Sequence, residues 1–254
     1  MLTNVLYKFF ILSLIINPIF FSCSRDNSQS IINPTEIQKI YPINEYLLDI
    51  LEPSGIVYNS INNSLMVVSD GRPDIYEVSL FGVTLNTIIA SGSDMEGITL
   101  SRNCDTIYVV EEKKKLVTSF NLSGIKLASF SADVATNDNS ALEGITINKT
   151  SNNLFVINEK DPRMILSYNN LTERWRKTID YASDISDIYY EDSTNCFWLI
   201  SDESQKILKL SSTGELLKEW QIPFTKGEGI TIVGDKIYIV NDSDGKLYVF
   251  QKPS

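Results

Sequence analysis

The chain has 254 residues, 43% of them hydrophobic and 21% charged, which is enough for one globular domain with a sizeable core. Its formal net charge of −10 excludes nucleic acid as an expected partner, because a phosphate backbone requires a basic surface. The chain contains no histidine, which excludes Ser-His-Asp and Cys-His catalysis as well as histidine-ligated zinc. A bound metal would therefore have oxygen ligands, which favours calcium or magnesium.

The N-terminal segment is predicted to be a signal peptide followed by a tether. Residues 9–21 are apolar, but they are too few and too interrupted by polar residues and a proline to predict a transmembrane helix. The run Phe20-Phe21-Ser22-Cys23 resembles a bacterial lipobox, although Phe stands where Leu is usual. We therefore predict a lipoprotein signal peptide over residues 1–22, lipidation of Cys23 and a polar, flexible tether over residues 23–35. An ordinary secretory signal with an incidental cysteine is the alternative.

A sequence repeat organises residues 36–254, which we predict to be a single domain. The motif Met95-Glu96-Gly97-Ile98-Thr99-Leu100 returns twice in strong form and twice in weaker form. The anchor positions of the five copies lie 42, 47, 43 and 42 residues apart: Gly55, Gly97, Gly144, Asp187 and Gly229. An apolar strand and then an acid follow each anchor, with the acid 15 residues later in four repeats and 13 residues later in the fifth. A repeat of this length, carried by short strands, predicts the blades of a β-propeller.

Each of the first four repeats is predicted to form a four-stranded antiparallel meander with Asn and Gly turns. In the first repeat we expect strands near residues 55–58, 65–69, 74–80 and 83–89. The fifth repeat has only three strands, and we predict that residues 37–43 supply its missing outer strand, which avoids an unpaired edge. The predicted fold is all-β: a five-bladed β-propeller of four-stranded antiparallel blades, with the last blade closed by an N-terminal strand. A six-bladed ring is the alternative.

Propeller geometry brings two sets of repeat positions to one face. The first strand of each blade lines the central channel, so the residues before the anchors are expected around its mouth. This inner ring comprises Ser54, Glu96, Glu143, Ser186 and Glu228. The acids after the second strands are expected in a wider outer ring, which we predict to be a ligand-binding face. This outer ring comprises Asp70, Glu112, Glu159, Asp202 and Asp242.

Three glutamates that converge on one axis predict a cation. Their mutual repulsion would raise their pKa values unless a countercharge were present, and Ca²⁺ accepts 6–8 oxygen ligands in irregular geometry. The alternative is that these glutamates only accept hydrogen bonds from backbone amides and brace neighbouring blades. Capping of a turn is the competing role for the outer acids, and it is the favoured one for Asp70 and Asp242.

Two cysteines remain in the predicted domain, Cys104 and Cys196. They fall in the second and fourth repeats, and blades so placed are not neighbours, so their Cα atoms are expected to lie beyond the ~7 Å reach of a disulfide. Neither has a nearby base by motif. We predict two isolated, non-catalytic thiols.

A family resemblance is carried by the anchors and by two further runs, Ser201-Asp202-Glu203 and Glu159-Lys160-Asp161-Pro162. The sequence resembles the SdiA-regulated (YjiK-like) family, which is distantly related to NHL-repeat propellers. The resemblance covers residues 51–250. It implies a five-bladed propeller with a bound calcium ion, whose site transfers to the matching positions Glu96, Glu143 and Glu228. Asp187 departs from the anchor glycine and adds a fourth candidate ligand. The family has no settled biochemical activity to transfer.

These observations predict a non-enzymatic, calcium-binding propeller that binds an unknown small molecule or envelope protein through its acidic face. We expect a monomer in the cell envelope, outer-membrane or periplasm-facing, that contacts the membrane only through its lipid anchor. The alternative is a calcium-dependent hydrolase of the lactonase or phosphoesterase type, in which Glu143 or Glu228 acts as general base. A calcium ion that only joins the blades is the third reading.

Overall fold

The computed structural model describes residues 37–134 and 140–253. The predicted signal peptide, the tether and Cys23 lie outside the described residues. All regular structure in the described part is β-strand, arranged as five sheets. Within it, no helix is long and apolar enough to cross a membrane.

The sheets follow one another around a ring as blades of four antiparallel strands. Strands β1 (Gln38–Lys39) and β2 (Asn44–Leu47) precede the first blade. Blade one contains β3 (Pro53–Asn59), β4 (Ser64–Ser69), β5 (Asp74–Val78) and β6 (Thr84–Ile89). Blade two contains β7 (Met95–Leu100), β8 (Thr106–Glu111), β9 (Leu116–Asn121) and β10 (Lys126–Ser131). Blade three contains β11 (Leu142–Asn148), β12 (Asn153–Asn158), β13 (Met164–Asn169) and β14 (Thr172–Thr178).

Blade four contains β15 (Asp187–Glu191), β16 (Cys196–Ser201), β17 (Lys206–Ser211) and β18 (Leu216–Gln221). Blade five contains β19 (Gly227–Val233), β20 (Lys236–Asn241) and β21 (Lys246–Gln251), with β2 as its outer strand. The five-bladed ring of four-stranded blades is therefore confirmed, and the six-bladed alternative is wrong.

An N-terminal strand closes the ring, as predicted, but the segment assigned to it was wrong. The outer strand of blade five is β2, with Asn44 opposite Val249. Residues 38–39 instead add a fifth, parallel strand to blade four, where Gln38 lies opposite Trp220. The physical reason is Pro42, which has no N–H to donate and ends the first pairing before the chain crosses to the next blade.

Burial follows position within a blade. The second strands β4 and β16 are buried along their whole length, because both of their faces pack against neighbouring blades. The outer strand β14 alternates between exposed and half-buried residues, since only one of its faces contacts the core. Apolar clusters therefore fill the spaces between adjacent blades rather than a single centre.

The anchor glycines mark the closest approach of neighbouring blades around the channel. A Cβ atom at Gly97 would lie 2.6 Å from the Glu143 carbonyl oxygen and 2.7 Å from the Cα atom of Gly144. One at Gly55 would lie 2.4 Å from the Glu96 carbonyl oxygen. Only glycine fits such a contact between first strands, which explains why the repeat keeps it.

The two cysteines of the domain, Cys104 and Cys196, are both buried and free of disulfides. This agrees with their prediction as isolated thiols in non-neighbouring blades.

Candidate functional site

One end of the central channel opens into a cavity of about 240 Å³, here called the acidic cavity. Its lining contains eleven carboxyl groups but only two lysines. The lining residues are Glu52, Ser54, Asp70, Glu96, Glu112, Glu143, Glu159, Lys160, Asp184, Ser186, Asp202, Glu203, Lys226, Glu228 and Asp242. All ten members of the predicted inner and outer rings are among them.

The inner ring is positioned by irregularities at the start of the first strands. In β7 the pairing with β8 shifts between Met95 and Gly97, so Glu96 has no direct partner. Equivalent shifts occur at Ser54 in β3 and at Glu228 in β19. A β-bulge of this kind re-aims one side chain out of the sheet, and here it directs the residues before the four glycine anchors into the channel mouth. In blade four no shift occurs, because Ser186 directly precedes β15.

The outer ring follows directly from strand length. Each outer acid is the first residue after the second strand of its blade, where the chain leaves the sheet at the same end of the ring. Glu112 Oε1 accepts a hydrogen bond from the Ala141 amide at 3.2 Å, which ties the rim of blade two to blade three. Asp202 accepts a hydrogen bond from the backbone N–H of Lys226 in the next repeat. The outer acids therefore brace neighbouring loops and also face the cavity.

Burial and mutual repulsion raise the pKa values of the inner glutamates. The pKa of Glu96 is raised from 4.5 to about 9, first by burial and then by Asp70 and Glu112. Burial and the nearby Glu96 raise the pKa of Glu143 well above its ordinary value. Burial also raises the pKa of Glu228 to about 7, although Lys226 opposes that increase. At neutral pH this cavity therefore holds a proton or attracts a cation.

The two lysines of the lining pair with four of its eleven carboxyl groups. Lys160 Nζ lies 2.7 Å from Glu159 Oε1 and 2.8 Å from Glu203 Oε1. Lys226 Nζ lies 3.2 Å from Asp202 Oδ2 and 3.6 Å from Glu228 Oε1.

The boundary between blades two and three holds Glu96, Glu112 and Glu143. Within the described ranges none of these three has a salt-bridge partner. Glu52, Asp70, Asp184 and Asp242 of the lining also have none there, so this boundary carries part of the uncompensated negative charge of the cavity.

Carboxylate oxygens at this boundary lie at separations that suit a cation. One set comprises Asp94, Glu96 and Glu112, and a second comprises Glu112, Glu143 and Glu159. Within each set the oxygen atoms lie within 4.8 Å of one another. Ca²⁺ binds oxygens at about 2.3–2.6 Å, so two of its ligands can be separated by about that distance. Both sets come from blades two and three and share Glu112, whereas Glu228 belongs to neither. One member of each set already pairs with a lysine: Asp94 with Lys113 at 2.6 Å, and Glu159 with Lys160.

Asp187 lies deeper than the rest of the predicted metal set. It is 1% exposed and does not line the acidic cavity. Its Oδ2 atom accepts a hydrogen bond from the Ile230 amide of blade five at 2.9 Å. Its Oδ1 atom would lie 2.7 Å from a Cβ added at Gly144 of blade three. Replacing an anchor glycine by Asp has placed this carboxylate between first strands, and burial raises its pKa well above its ordinary value.

Sequence reasoning missed a third set of positions, three residues before each anchor. These are Glu52, Asp94, Ala141, Asp184 and Lys226. Glu52, Asp184 and Lys226 line the cavity, and Asp94 joins the first oxygen set. Glu52, Asp94 and Lys226 have positive φ angles of 47°, 56° and 61°, which turn the chain into the bulge. The repeat could have revealed this set, because four of the five positions carry a charged residue.

Fold and site together define a five-bladed β-propeller with a carboxylate-lined channel mouth. The chain belongs to the SdiA-regulated family, whose model matches residues 42–254. Among solved structures it is similar to a chain of a nidogen/laminin complex, with 16% identity and a TM-score of 0.59 over 79% of this chain and 76% of that one. That likeness is one of fold. No curated protein matches the sequence significantly.

Proposed function

We propose that the protein is a calcium-binding interaction module whose acidic cavity holds the ion and presents it to a ligand. Membership of the family and the propeller fold support a binding role in general. The observation that carries the calcium proposal is the uncompensated group Glu96, Glu112 and Glu143, whose pKa values are all raised by burial. A divalent cation would neutralise these carboxylates without burying a new positive side chain.

The two oxygen sets are the positions that we propose for such an ion. Glu112 belongs to both sets, so an ion in either one would use it, together with Glu96 and Asp94 or with Glu143 and Glu159. Three carboxylates leave coordination positions for water or a ligand, because Ca²⁺ accepts 6–8 oxygens. The cavity therefore suits a small molecule or a protein side chain that offers oxygen donors. Its surplus of carboxylates also favours a cationic group on the same ligand.

A calorimetric titration tests the proposal. Purified protein treated with EDTA is titrated with Ca²⁺, with Mg²⁺ as a comparison, and its melting temperature is measured with and without each ion. We expect Ca²⁺ to bind and to raise the melting temperature, because a ligand that binds only the folded state stabilises it by mass action. Glu112→Gln should weaken binding at least tenfold, because this residue is common to both oxygen sets.

Asp192→Asn is the matched control, since Asp192 is an exposed acid in the turn between β15 and β16, outside the cavity. It should bind Ca²⁺ as the wild type does. Absence of Ca²⁺ binding by the wild type would overturn the proposal. The inner glutamates would then act only as braces between blades.

We further propose that the protein functions in the cell envelope, held by a lipid on Cys23. The support comes from the lipobox-like run Phe20-Phe21-Ser22-Cys23 and the polar segment that follows it. Free Ca²⁺ is more abundant outside the cytoplasm than within it, so this location suits a calcium site of extracellular-module affinity, with Kd values of about 10⁻⁴–10⁻³ M.

One observation favours hydrolysis as a second candidate function. The pKa of Glu228 is raised to about 7, which is the range suited to a general base at neutral pH. When bound, Ca²⁺ would supply polarisation of a carbonyl or phosphoryl oxygen. Glu228 lies outside both oxygen sets and beside Lys226, and it could accept a proton from water in the cavity.

Assays with lactones and phosphate esters, in the presence of Ca²⁺, test this candidate. A rate that depends on an ionisation near pH 7 and that falls at least a hundredfold in Glu228→Gln, with Ca²⁺ binding retained, would establish it. The absence of turnover on both substrate classes would leave the binding module as the function.

A further inference from the structure

A second cavity lies on the face opposite the acidic cavity, between blades two and three. It has a volume of about 600 Å³, and we call it the inter-blade cleft. Its lining residues are Ser101, Tyr108, Ile147, Asn152, Leu154, Tyr168, Asn170 and Leu171. Three turns contribute to it, at the ends of the strands away from the acidic cavity. They contain Ser101, Asn152 and the pair Asn170-Leu171. The volume falls within the range of ~300–1,000 Å³ typical of small-molecule sites.

The cleft exists because one boundary between blades is filled less than the others. Tyr108 is the second residue after the start of β8, and the matching positions on the other second strands are Met66, Phe155, Trp198 and Tyr238. Those four are 1%, 5%, 0% and 5% exposed, whereas Tyr108 is half-buried.

A comparison with the next boundary shows the cause. Between blades three and four, Tyr190 stacks on Phe155 with ring centroids 5.3 Å apart. The residue that corresponds to Tyr190 in blade three is Ile147, three positions after its anchor. Ile147 brings no aromatic ring against Tyr108, which stays half-buried beside Tyr168. Blade five also has an isoleucine at this position, Ile232, but there Trp198 of blade four is covered by Trp220, with ring centroids 5.5 Å apart.

The lining combines apolar surface with uncharged polar groups. None of the eight lining residues is charged, although the chain as a whole carries a net charge of −10. Within the described part of the chain, the hydroxyl of Tyr108 and the side-chain amides of Asn152 and Asn170 take part in no hydrogen bond. These groups are therefore free to bind a ligand, and the lack of charge favours a neutral one.

Leu171 adds an apolar side chain to the rim of the cleft. Asn170 and Leu171 form the two-residue turn between β13 and β14, with φ angles of 48° and 62°. Asn tolerates this left-handed conformation and glycine is the usual second residue, whereas a leucine there is strained. The leucine side chain is nevertheless 59% exposed at the rim of the cleft. Positive φ angles recur at other turns, such as those of Lys115 and Gln205, so what bears on binding is the apolar side chain held at the rim of the cleft.

We propose that the inter-blade cleft binds a neutral carbohydrate. The faces of a pyranose ring carry C–H groups, which suit the exposed ring of Tyr108 and the side chain of Leu171. The ring edges carry hydroxyl groups, which can exchange hydrogen bonds with the amides of Asn152 and Asn170. A charged sugar would have no countercharge among the lining residues. This site is separate from the acidic cavity, so the proposal does not depend on calcium.

The experiment measures binding of neutral hexose, xylose and N-acetylglucosamine oligosaccharides to the purified protein by calorimetry. An oligogalacturonate is included as the acidic comparison. Leu171→Gly is the main variant, because glycine relieves the left-handed strain while it removes the apolar contact. We expect its melting temperature to be unchanged or higher and its affinity for the bound neutral sugar to fall about tenfold. Tyr108→Ala should lower the affinity by more than that, since it removes the aromatic surface.

Ile61→Ala is the matched control, because Ile61 is an exposed apolar residue in the β3–β4 turn on the same face but outside the cleft. It should bind the sugar as the wild type does. Failure of every neutral oligosaccharide to bind at millimolar concentration would overturn the proposal. So would equal binding of the oligogalacturonate, or wild-type affinity in both cleft variants.

Discussion

At the scale of single residues, the buried carboxyl groups of the channel mouth determine how stability depends on pH. Glu228 and Glu96 have pKa values of about 7 and about 9 in the fold, against an ordinary value of 4.5. Between pH 4.5 and the folded-state pKa of each group, the folded state holds a proton that the unfolded state has lost, so the free energy of unfolding falls as the pH rises. The stabilising contribution of these two groups is complete below about pH 4.5, and it is lost progressively as the pH rises through each folded-state pKa.

We therefore expect the melting temperature of the metal-free protein to fall between pH 5 and pH 9. The decrease should reach several degrees, because 1 kcal/mol corresponds to about 2–4 °C in a domain of this size. Thermal melts in EDTA measure it, and the same melts in Ca²⁺ should show a smaller decrease if the ion replaces the protons. A melting temperature that rises with pH in EDTA would contradict the pKa values given for the inner ring.

Substitution of Asp187 distinguishes a role in bracing the blades from a role in binding the metal. Its carboxylate accepts the Ile230 amide of the neighbouring blade and is fully buried. Asp187→Ala would leave that amide without its acceptor, which costs about 1–3 kcal/mol of unfolding free energy. We expect a lower melting temperature and unchanged Ca²⁺ affinity, measured by calorimetry at a temperature where the variant is folded. Loss of Ca²⁺ binding would instead establish Asp187 as a ligand.

Much of the site at this scale could be predicted from the repeat. The residues before the anchors and the acids after the second strands recur in fixed register, so a correct blade assignment places them together without further information. The depth of Asp187 could not be predicted, because it depends on how closely the first strands approach at Gly144. The pairing of Lys160 with Glu159 and Glu203 depends on loop geometry, which the spacing does not encode.

At the scale of elements, the strands within each blade were predictable and the N-terminal crossing was not. Apolar runs of five to six residues between Asn or Gly turns leave few alternatives to a meander. In residues 37–47 apolar and polar side chains alternate imperfectly. Two sheet edges could accept this segment, that of blade four at β18 and that of blade five at β21. The choice is made by tertiary contacts: the Ile40 amide bonds to the Gln221 carbonyl at 2.9 Å, and the Ile43 amide bonds to the Val249 carbonyl at 2.7 Å.

Truncation separates the contributions of the two N-terminal strands. Removal of residues 1–47 deletes β1 and β2 and leaves β21 as an unpaired edge. We expect this variant to melt at least about 10 °C lower or to aggregate, because it loses a strand pair and part of the interface with blade one. Removal of residues 1–43 deletes only β1 and serves as the control, with a smaller decrease. Equal melting temperatures for both truncations would show that β2 does not close the ring.

At the scale of the whole molecule, the proposed lipidation of Cys23 predicts attachment of the propeller to a membrane. We expect the wild-type protein, expressed in a bacterial host, to incorporate labelled fatty acid and to sediment with membranes. Cys23→Ser should abolish both properties, because no other cysteine stands in a lipobox-like run. Cys104→Ser is the control, since that thiol is buried in the fold and should not affect labelling. Labelling that persists in Cys23→Ser would contradict the predicted anchor.

The closure of the ring by β2 also fixes the order of events during synthesis. Glu45 on β2 bonds to Lys246 on β21, 201 positions later in the sequence. Among the described strands, β1 and β2 are synthesised early but pair with β18 and β21 near the end of the chain, and pairings of such long range slow folding. Until blade five exists, blades one to three can form from local hairpins while β2 remains a single unpaired strand. The ring is therefore kept open until β21 has been synthesised and pairs with β2.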